Sequence, residues 1–571
     1  MGTISDKLMR IINTKEDIRQ ALILKGYDVP TSIPFKEYAK MISDLPCKVD
    51  DFPKLPGDVT RWHFGGLTNE MMAAMDDPRI EDADHKGRFL SFKNFAWKEG
   101  SGISDVYPGA LVFDGVDDYG TCDNFPVLTK EKGYTVIALR QRISMGEGIS
   151  GLVSNAKNWF KDGAFVLEYS YTKNSYFNRP VSFGAIGSEK DLPHILTYQT
   201  SKSYNGVSIA VGSFIGTDQL YVGKINNIIE NCTNAAIWEL VILDHDATEE
   251  ELTKIKDYFV KTYPWLFPDQ AWTVTGKTNE DEDRATIANI TGNDNNLVLS
   301  NFGFAEGSGY GLYKTPFELY PSVQHSSKYS LSFSKFALGD HNLIIAPKQN
   351  DLSYDIKVKV TGLKDGVKFK WGWIGTTGYI DITTDGIHML NKPASQIRQL
   401  IVEFAEDFDP DHVVTIEQIP EYEGYLVTDG VDDEVRSAAF TLNEDWTIVG
   451  DWELLSNVQI NCGIVKAQNV YLYNTANGLL ISINNPRSLQ SFGTKSLHAI
   501  CSDGRLYDRN WVEYEYTVDQ NFEIVKSSLN IGFNLNNYTQ IAFKNLAIYP
   551  RILSKDDCIK AYNYLQTLKS K

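Results

Sequence analysis

The chain has 571 residues, 42% hydrophobic, 23% charged and 12% aromatic, with a formal net charge of −19. This length exceeds what one hydrophobic core organises, and the apolar and aromatic content excludes disorder over most of it, so two to four domains are expected. So acidic a surface repels nucleic-acid phosphates and anionic headgroups, and no apolar run reaches membrane-spanning length. Nucleic acid and membrane insertion are therefore set aside as functions.

Residues 1–48 read as helical. Ile4, Leu8, Ile11, Ile18 and Leu22 recur in steps of four and three once Lys15 fills the intervening slot, which predicts a heptad seam over a helix from Thr3 to about Lys25. Thr3 or Ser5 caps its start, Gly26 stops it, and Val29-Pro30 turns the chain. A second short helix is expected from Pro34 to Leu45, with Phe35, Tyr38, Met41, Ile42 and Leu45 on one side. So small a pair buries little surface alone, which suits an oligomerising or docking segment; the alternative is packing back on the next domain. The amino terminus has no apolar signal core, so synthesis without a standard export route is expected.

The stretches Ile4-Ser5-Asp6-Lys7-Leu8, Thr14-Lys15-Glu16-Asp17-Ile18-Arg19-Gln20-Ala21, Lys25-Gly26 and Pro34-Phe35-Lys36-Glu37-Tyr38 resemble an amino-terminal segment recurrent in tail and fibre proteins of phages of Bacteroides-type bacteria, crAss-like phages included. The resemblance covers this tip only. It implies a virion protein, assembled in the host cytoplasm, whose first segment joins other capsid or tail proteins and forms a homodimer or homotrimer.

The body is a duplication. Trp62, Gly66, Thr68, Asn69 and Glu70 match Trp272, Gly276, Thr278, Asn279 and Glu280 at an offset of 210. Asn94-Phe95 and Glu99-Gly100-Ser101-Gly102 match Asn301-Phe302 and Glu306-Gly307-Ser308-Gly309 at 207. Asp114-Gly115-Val116-Asp117-Asp118 matches Asp429-Gly430-Val431-Asp432-Asp433 at 315, Ser182-Phe183-Gly184 matches Ser491-Phe492-Gly493 at 309, and Leu240 to Phe259 tracks Leu546 to Leu565 at 306. The jump from 207 to 315 places about 108 extra residues in the second copy, a domain-sized insert. Within it Tyr354, Ile356, Val358 and Val360 alternate with Asp355, Lys357 and Lys359. Val367, Phe369 and Trp371, then Leu400, Val402 and Phe404, keep the same period of two, so the insert reads as a small β-sandwich.

Each repeat proper reads as strands and turns closed by one helix: Thr248 caps Glu249 to Lys261, and Ser554 precedes Lys555 to Leu568. The run Ala110-Leu111-Val112-Phe113-Asp114-Gly115, with its acidic turn and the closing helix, looks like LamG-like, concanavalin-type jelly rolls. The second copy departs at Thr428 and Glu434, where the first has Phe113 and Tyr119. The expected fold is mainly β: an N-terminal α-helical anchor (1–48), a first jelly roll (49–268), a second (269–312 plus 423–571) and the inserted β-sandwich (313–422).

The chemistry-bearing residues are few. Asp114, Asp117, Asp118 and their repeats Asp429, Asp432, Asp433 are of the type that ligates calcium, but Asp-Gly is first a turn signal whose acids cap amides, so no metal or cofactor is assigned. Gly276-Lys277-Thr278 lacks the upstream glycine of a phosphate loop. Glycoside hydrolysis needs two carboxylates lining a cleft, whereas Glu280-Asp281-Glu282-Asp283 is a charge run and Glu403, Glu406 and Asp407 close an insert strand, so no catalytic residue is named. Trp159, Phe160, Tyr169, Tyr171, Tyr176, Trp371, Trp373 and Trp511 are candidates for stacking on sugar rings, each weighed against a place in the core. Cys47, Cys122, Cys232, Cys462, Cys501 and Cys558 include no Cys-x-x-Cys pair and are expected as lone thiols. With no catalytic pattern in view, the resemblance of the amino-terminal segment implies a non-enzymatic head or tail fibre component engaging host-surface glycans; the alternatives are a carbohydrate-active enzyme or binding-module protein, and a passive spacer.

Overall fold

A computed structural model describes residue 15 and most of the chain from 51 to 570. The stretches outside the description include 1–14, 16–50, 157–163, 189–194, 209–215, 312–329, 335–353 and 517–525. The heptad positions Ile4, Leu8, Ile11, Ile18 and Leu22 lie outside the described residues, as do the side chains of Trp159, Phe160, Tyr169, Tyr171, Tyr176 and Trp373.

The described chain is mainly β, its sheets antiparallel, and it divides into two compact units, residues 1–266 and 267–571. In the first unit one sheet runs Gly102–Ile103, Leu111–Asp114, Asn234–Leu243, Thr135–Ser144, Leu196–Thr200, Ser203–Tyr204, Val207–Ser208, with Val59–His63 also on the strand Asn234–Leu243. The facing sheet runs Arg79–Glu81, Phe89–Lys93, Tyr119–Cys122, Leu220–Val222, Ser150–Ser154, Val166–Tyr171, Asn174–Arg179, Ser182–Ser188. Between them Trp62, Phe64, Leu111, Phe113, Val136, Leu152, Leu167, Val222 and Leu240 form one core, and burial of this apolar surface is the main force holding the layers together.

The second unit repeats that strand order. Its first sheet runs Gly309–Tyr310, Leu426–Val427, Ile541–Tyr549, Thr447–Leu454, Leu497–Cys501, Arg505–Asp508, Glu513–Glu515, with Gln270–Thr273 on Ile541–Tyr549. Its partner runs Thr286–Ile287, Leu297–Ser300, Glu434–Thr441, Lys526–Ile531, Cys462–Ala467, Val470–Thr475, Gly478–Ile483, Gln490–Phe492. Even the irregularities recur. Leu139 pairs Glu239 and Arg140 pairs Ile237, skipping Trp238; Asp451 pairs Asn545 and Trp452 pairs Phe543, skipping Lys544. Superposing these ladders equates Leu139 with Asp451 and Glu239 with Asn545.

The insert has its own core. The sheet Ser330–Phe333, Val414–Gln418, Tyr354–Thr361, Gly386–Lys392 faces Ile380–Ile382, Val367–Trp373, Arg398–Phe404 around Ile356, Val358, Val360, Phe369, Trp371, Leu400 and Val402. Asp355, Lys357 and Lys359 point to solvent, as the period of two requires.

Each unit ends in a helix on its first sheet. Glu249–Thr262 starts with a full capping box, in which Thr248 accepts from the Glu251 amide and Glu251 accepts from the Thr248 amide at 2.8 Å. Lys555–Gln566 is capped by Ser554 alone and closes two residues before the expected Leu568.

Candidate functional site

The duplicated Asp-Gly turns each hold a cluster of three acids, Asp114, Asp117 and Asp118 in the first unit and Asp429, Asp432 and Asp433 in the second. Asp114 Oδ1 accepts from the amides of Val116 (2.7 Å) and Asp117 (3.2 Å), and Asp118 Oδ2 accepts from the Asp114 amide (3.0 Å). The second copy repeats this: Asp429 Oδ1 takes Val431 (2.7 Å) and Asp432 (3.3 Å), and Asp433 Oδ2 takes the Asp429 amide (2.7 Å). Gly115 and Gly430 sit at φ +79° and +75°, and a Cβ on Gly115 would meet Asn234 at 2.8 Å, so glycine is required. In each cluster one oxygen per acid lies within 4.8 Å of the others. The first and last acids nevertheless have oxygens committed to turn amides, which is the capping role expected of Asp-Gly. Burial pushes Asp118 and Asp433 up to about 6, against the lowering pull of Ser101 and Ser308 and of the turn amides.

The other motifs resolve as local structure. Lys277 pairs with Asp283 at 2.7 Å, and Asp281 accepts from the Thr278 amide at 2.8 Å, so the acidic run organises a turn. Glu403 is bound by Lys370 at 2.7 Å. Trp371 is 1% exposed, and its indole donates to the Asn391 carbonyl at 2.9 Å, which makes it a core residue of the insert. Cys122, Cys232, Cys501 and Cys558 are buried and unbridged.

Two buried charge networks in the first unit have no signature in any motif. Glu239 accepts from Arg61 (3.2 Å), from Tyr258 (3.3 Å) and from Tyr263 (2.8 Å), tying the closing helix to the sheet, while Phe52 covers the guanidinium at 4.5 Å. Burial raises Glu239 to about 7 despite the opposing Arg61 charge. Between the sheets, Arg140 bonds Glu168, Tyr204 donates to Glu168 at 2.8 Å, and Arg142 donates to its carbonyl at 3.0 Å. The signal available in sequence was charge inside central apolar strands, Glu239 alone in Asn234–Leu243 and Arg140 with Arg142 in Thr135–Ser144.

The second unit differs on the outer face of its first sheet, beside the closing helix. Asp451 Oδ2 accepts from Tyr425 (2.8 Å), Gln566 (3.2 Å) and Tyr562 (3.3 Å). Tyr562 stacks on His498 with centroids 4.1 Å apart, and Trp511 closes on both rings edge-on, at 5.3 Å from His498 and 5.7 Å from Tyr562. Lys544 lies 5.6 Å over the Tyr425 ring, and Arg509, 67% exposed, reaches Glu453 at 3.5 Å. His498 is buried and its Nδ1 has no partner among the described residues; desolvation lowers its pKa, with Asp451 opposing.

Local features build this patch. Asp508 Oδ1 accepts from the amides of Asn510 (2.8 Å) and Val512 (2.9 Å), and the Asp508 carbonyl accepts from Trp511 (3.0 Å), forming a tight turn. Trp511 is thereby held at φ +59°, a conformation that costs a bulky side chain about 1–3 kcal/mol. The ladder against Arg505–Asp508 shifts register between Leu497 and Ala499, and this bulge turns His498 towards the helix. Of the patch residues, sequence reasoning had singled out only Trp511.

No family model matches the sequence, and no curated protein matches it. Among solved structures, the Trypanosoma rangeli sialidase in complex with sialic acid aligns at 11% identity and a TM-score of 0.26, over 45% of this chain and 39% of that one. The chain thus spans well under half of the sialidase it matches. The binding domain of botulinum neurotoxin DC in complex with SialylT aligns at 8% identity and 0.26, over 81% of this chain and 95% of that one. The receptor-binding domain of botulinum neurotoxin type G aligns at 9% and 0.21, covering 66% and 85%.

Proposed function

We propose that this chain is a non-catalytic structural appendage of a bacteriophage particle, a head or tail fibre component that engages host-surface glycans. In this reading the two sandwiches are concanavalin-type jelly rolls of the LamG kind, and residues 1–48 oligomerise the chain and seat it on the virion. The observation that carries the glycan part is the outer face of the second unit. One sandwich was copied with strand order and bulge intact, so the fold does not require the aromatic and carboxylate patch that, among the described residues, the second copy bears and the first does not. Aromatic faces rimmed by hydrogen-bonding groups suit saccharides, whose C–H faces are apolar and whose hydroxyls are not. Several weak sites carried on one oligomer multiply avidity, which suits reversible attachment.

The test has two parts. Mass spectrometry and immunogold labelling of purified phage particles should find the chain at a defined place in the virion. Incubation of the purified protein with capsular polysaccharide should give retention without release of reducing sugar. Turnover abolished by replacing a single carboxylate would instead establish the hydrolase alternative, and absence from particles would end the virion reading.

A further inference from the structure

The duplication provides an internal control for every side chain, because the first unit shows what the fold needs and the second shows what has been added. At the outer face beside the closing helix, the first unit carries Ala110, Leu139 and Lys256, where the second, by ladder register and repeat offset, carries Tyr425, Asp451 and Tyr562. Thr197, the ladder equivalent of His498, instead turns inward and bonds the Tyr204 hydroxyl at 2.9 Å. Tyr204 and Val207 pair directly around the tight turn Asn205-Gly206. Their equivalents Leu506 and Tyr514 enclose the longer segment 507–513, which carries Arg509 and the strained Trp511. The ladder between Leu497–Cys501 and Arg505–Asp508 shifts register at His498, where the counterpart ladder of the first unit is the single pair Gln199–Tyr204. A longer hairpin, a bulge and three substitutions on separate strands and a helix thus converge on one spot. None of them serves the sandwich, since the first copy closes without them.

We propose that this spot, formed by Trp511, Tyr562, Tyr425, Asp451 and Arg509, is a binding subsite for neutral pyranose oligosaccharides. The inference rests on the glycan-engaging reading above and assigns its site and sugar class. Trp511 is half-buried, its backbone held by the turn and its ring packed edge-on against His498 and Tyr562, and its indole N–H has no acceptor among the described residues. It therefore offers a rigid ring and a spare donor together. Arg509 stands on the same turn with most of its guanidinium in water, available to sugar hydroxyls. Charge selects the class. Asp451 accepts from both patch tyrosines, Asp508 acts on His498 and Glu453 pairs with Arg509, so three carboxylates stand against the two cations Arg509 and Lys544. The surplus of carboxylates repels uronates and sialic acids and leaves neutral hexoses and N-acetylhexosamines.

The experiment uses the full chain with maltopentaose, cellopentaose, chitopentaose and trigalacturonate, titrated by calorimetry. At least one neutral probe should bind and trigalacturonate should not. Trp511→Ala should weaken that binding roughly tenfold or more, while Lys256→Ala in the first unit leaves it unchanged. Should Trp511→Ala fail to fold, oxidative footprinting of the wild-type chain gives the same answer: the neutral sugar should slow modification of Trp511. If a neutral sugar binds but neither Trp511 readout responds, the site assignment fails and the glycan reading stands. Preference for trigalacturonate overturns the class. If no saccharide binds in this experiment or to capsular polysaccharide, both the inference and the glycan reading fall.

Discussion

Single residues show how the two copies solved one problem differently. The closing helix must be fixed to the sheet, and the first unit does so with the buried Arg61–Glu239 pair, at 3% and 0% side-chain exposure. Superposed, these positions are Ala271 and Asn545 in the second unit, where Asn545 instead donates to the Leu565 carbonyl at 3.1 Å. Glu239→Ala removes the acceptor shared by Arg61, Tyr258 and Tyr263 and leaves the buried guanidinium without its carboxylate, and should destabilise the first unit by about 3–5 kcal/mol in denaturant titrations. The double change Arg61→Ala with Glu239→Asn, copying the second unit, should recover much of that loss; a double variant no better than the single one would refute the equivalence. The aspartate turns allow a pH test. Asp118 and Asp433 are raised to about 6 from an ordinary value near 3.8, so between these limits the folded chain holds more protons than the unfolded one. Stability from these groups is therefore greatest below about pH 4 and declines as pH rises to about 6. Asp433→Asn can still accept from the Asp429 amide and donate to Ser308, so it should fold normally and flatten part of that decline. One millimolar calcium should leave the melting temperature of wild type unchanged; a rise abolished by Asp433→Asn would show that these acids hold the ion. The turns were legible in sequence because Asp-Gly encodes its own geometry. Arg61 and Glu239 were not, since 178 residues separate partners that only the ladder brings together.

At the scale of elements, local signals were readable and convergent ones were not. Thr248 and Ser554 stood out before acidic first turns, and both are N-caps. Their geometries differ: Thr248 belongs to a reciprocal box, while Ser554 accepts from the Asp557 amide alone at 3.1 Å. Thr248→Ala should therefore cost about 1–2 kcal/mol and Ser554→Ala about 0.5–1 kcal/mol, each read as a shift in its own unit's unfolding transition. Equal losses would argue that the Glu251 side chain adds nothing. The alternation of Ile356, Val358 and Val360 with lysines marked an insert strand correctly, because a period of two is imposed by the pleat itself. The same rule left Trp371 open between platform and core. Its 1% exposure decides for core, a matter of which face the second insert sheet covers. The aromatic patch was hidden for a related reason. It draws on positions 425, 451, 498, 511 and 562, and one of them is aimed by a bulge that no periodicity announces.

For the whole molecule, each sandwich closes its own core among the described residues. Each first sheet carries its own helix, and among the described residues neither unit borrows a strand from the other. Nothing in the described residues calls for a second copy of the chain, whereas the heptad seam that the sequence predicts at Ile4, Leu8, Ile11, Ile18 and Leu22 would bury little until another helix meets it. Oligomerisation should then reside in residues 1–48. Light scattering on the full chain should give a dimer or trimer, and a chain beginning at residue 49 should be monomeric with an unaltered circular dichroism spectrum in the β region. Replacing Leu8 and Ile18 together with lysine should reproduce the monomer without shortening anything, because two charges on the seam oppose each helix pairing. A truncated chain that still assembles would move the interface onto the sandwiches, and the multivalent presentation of the Trp511 patch would have to be rebuilt from that geometry.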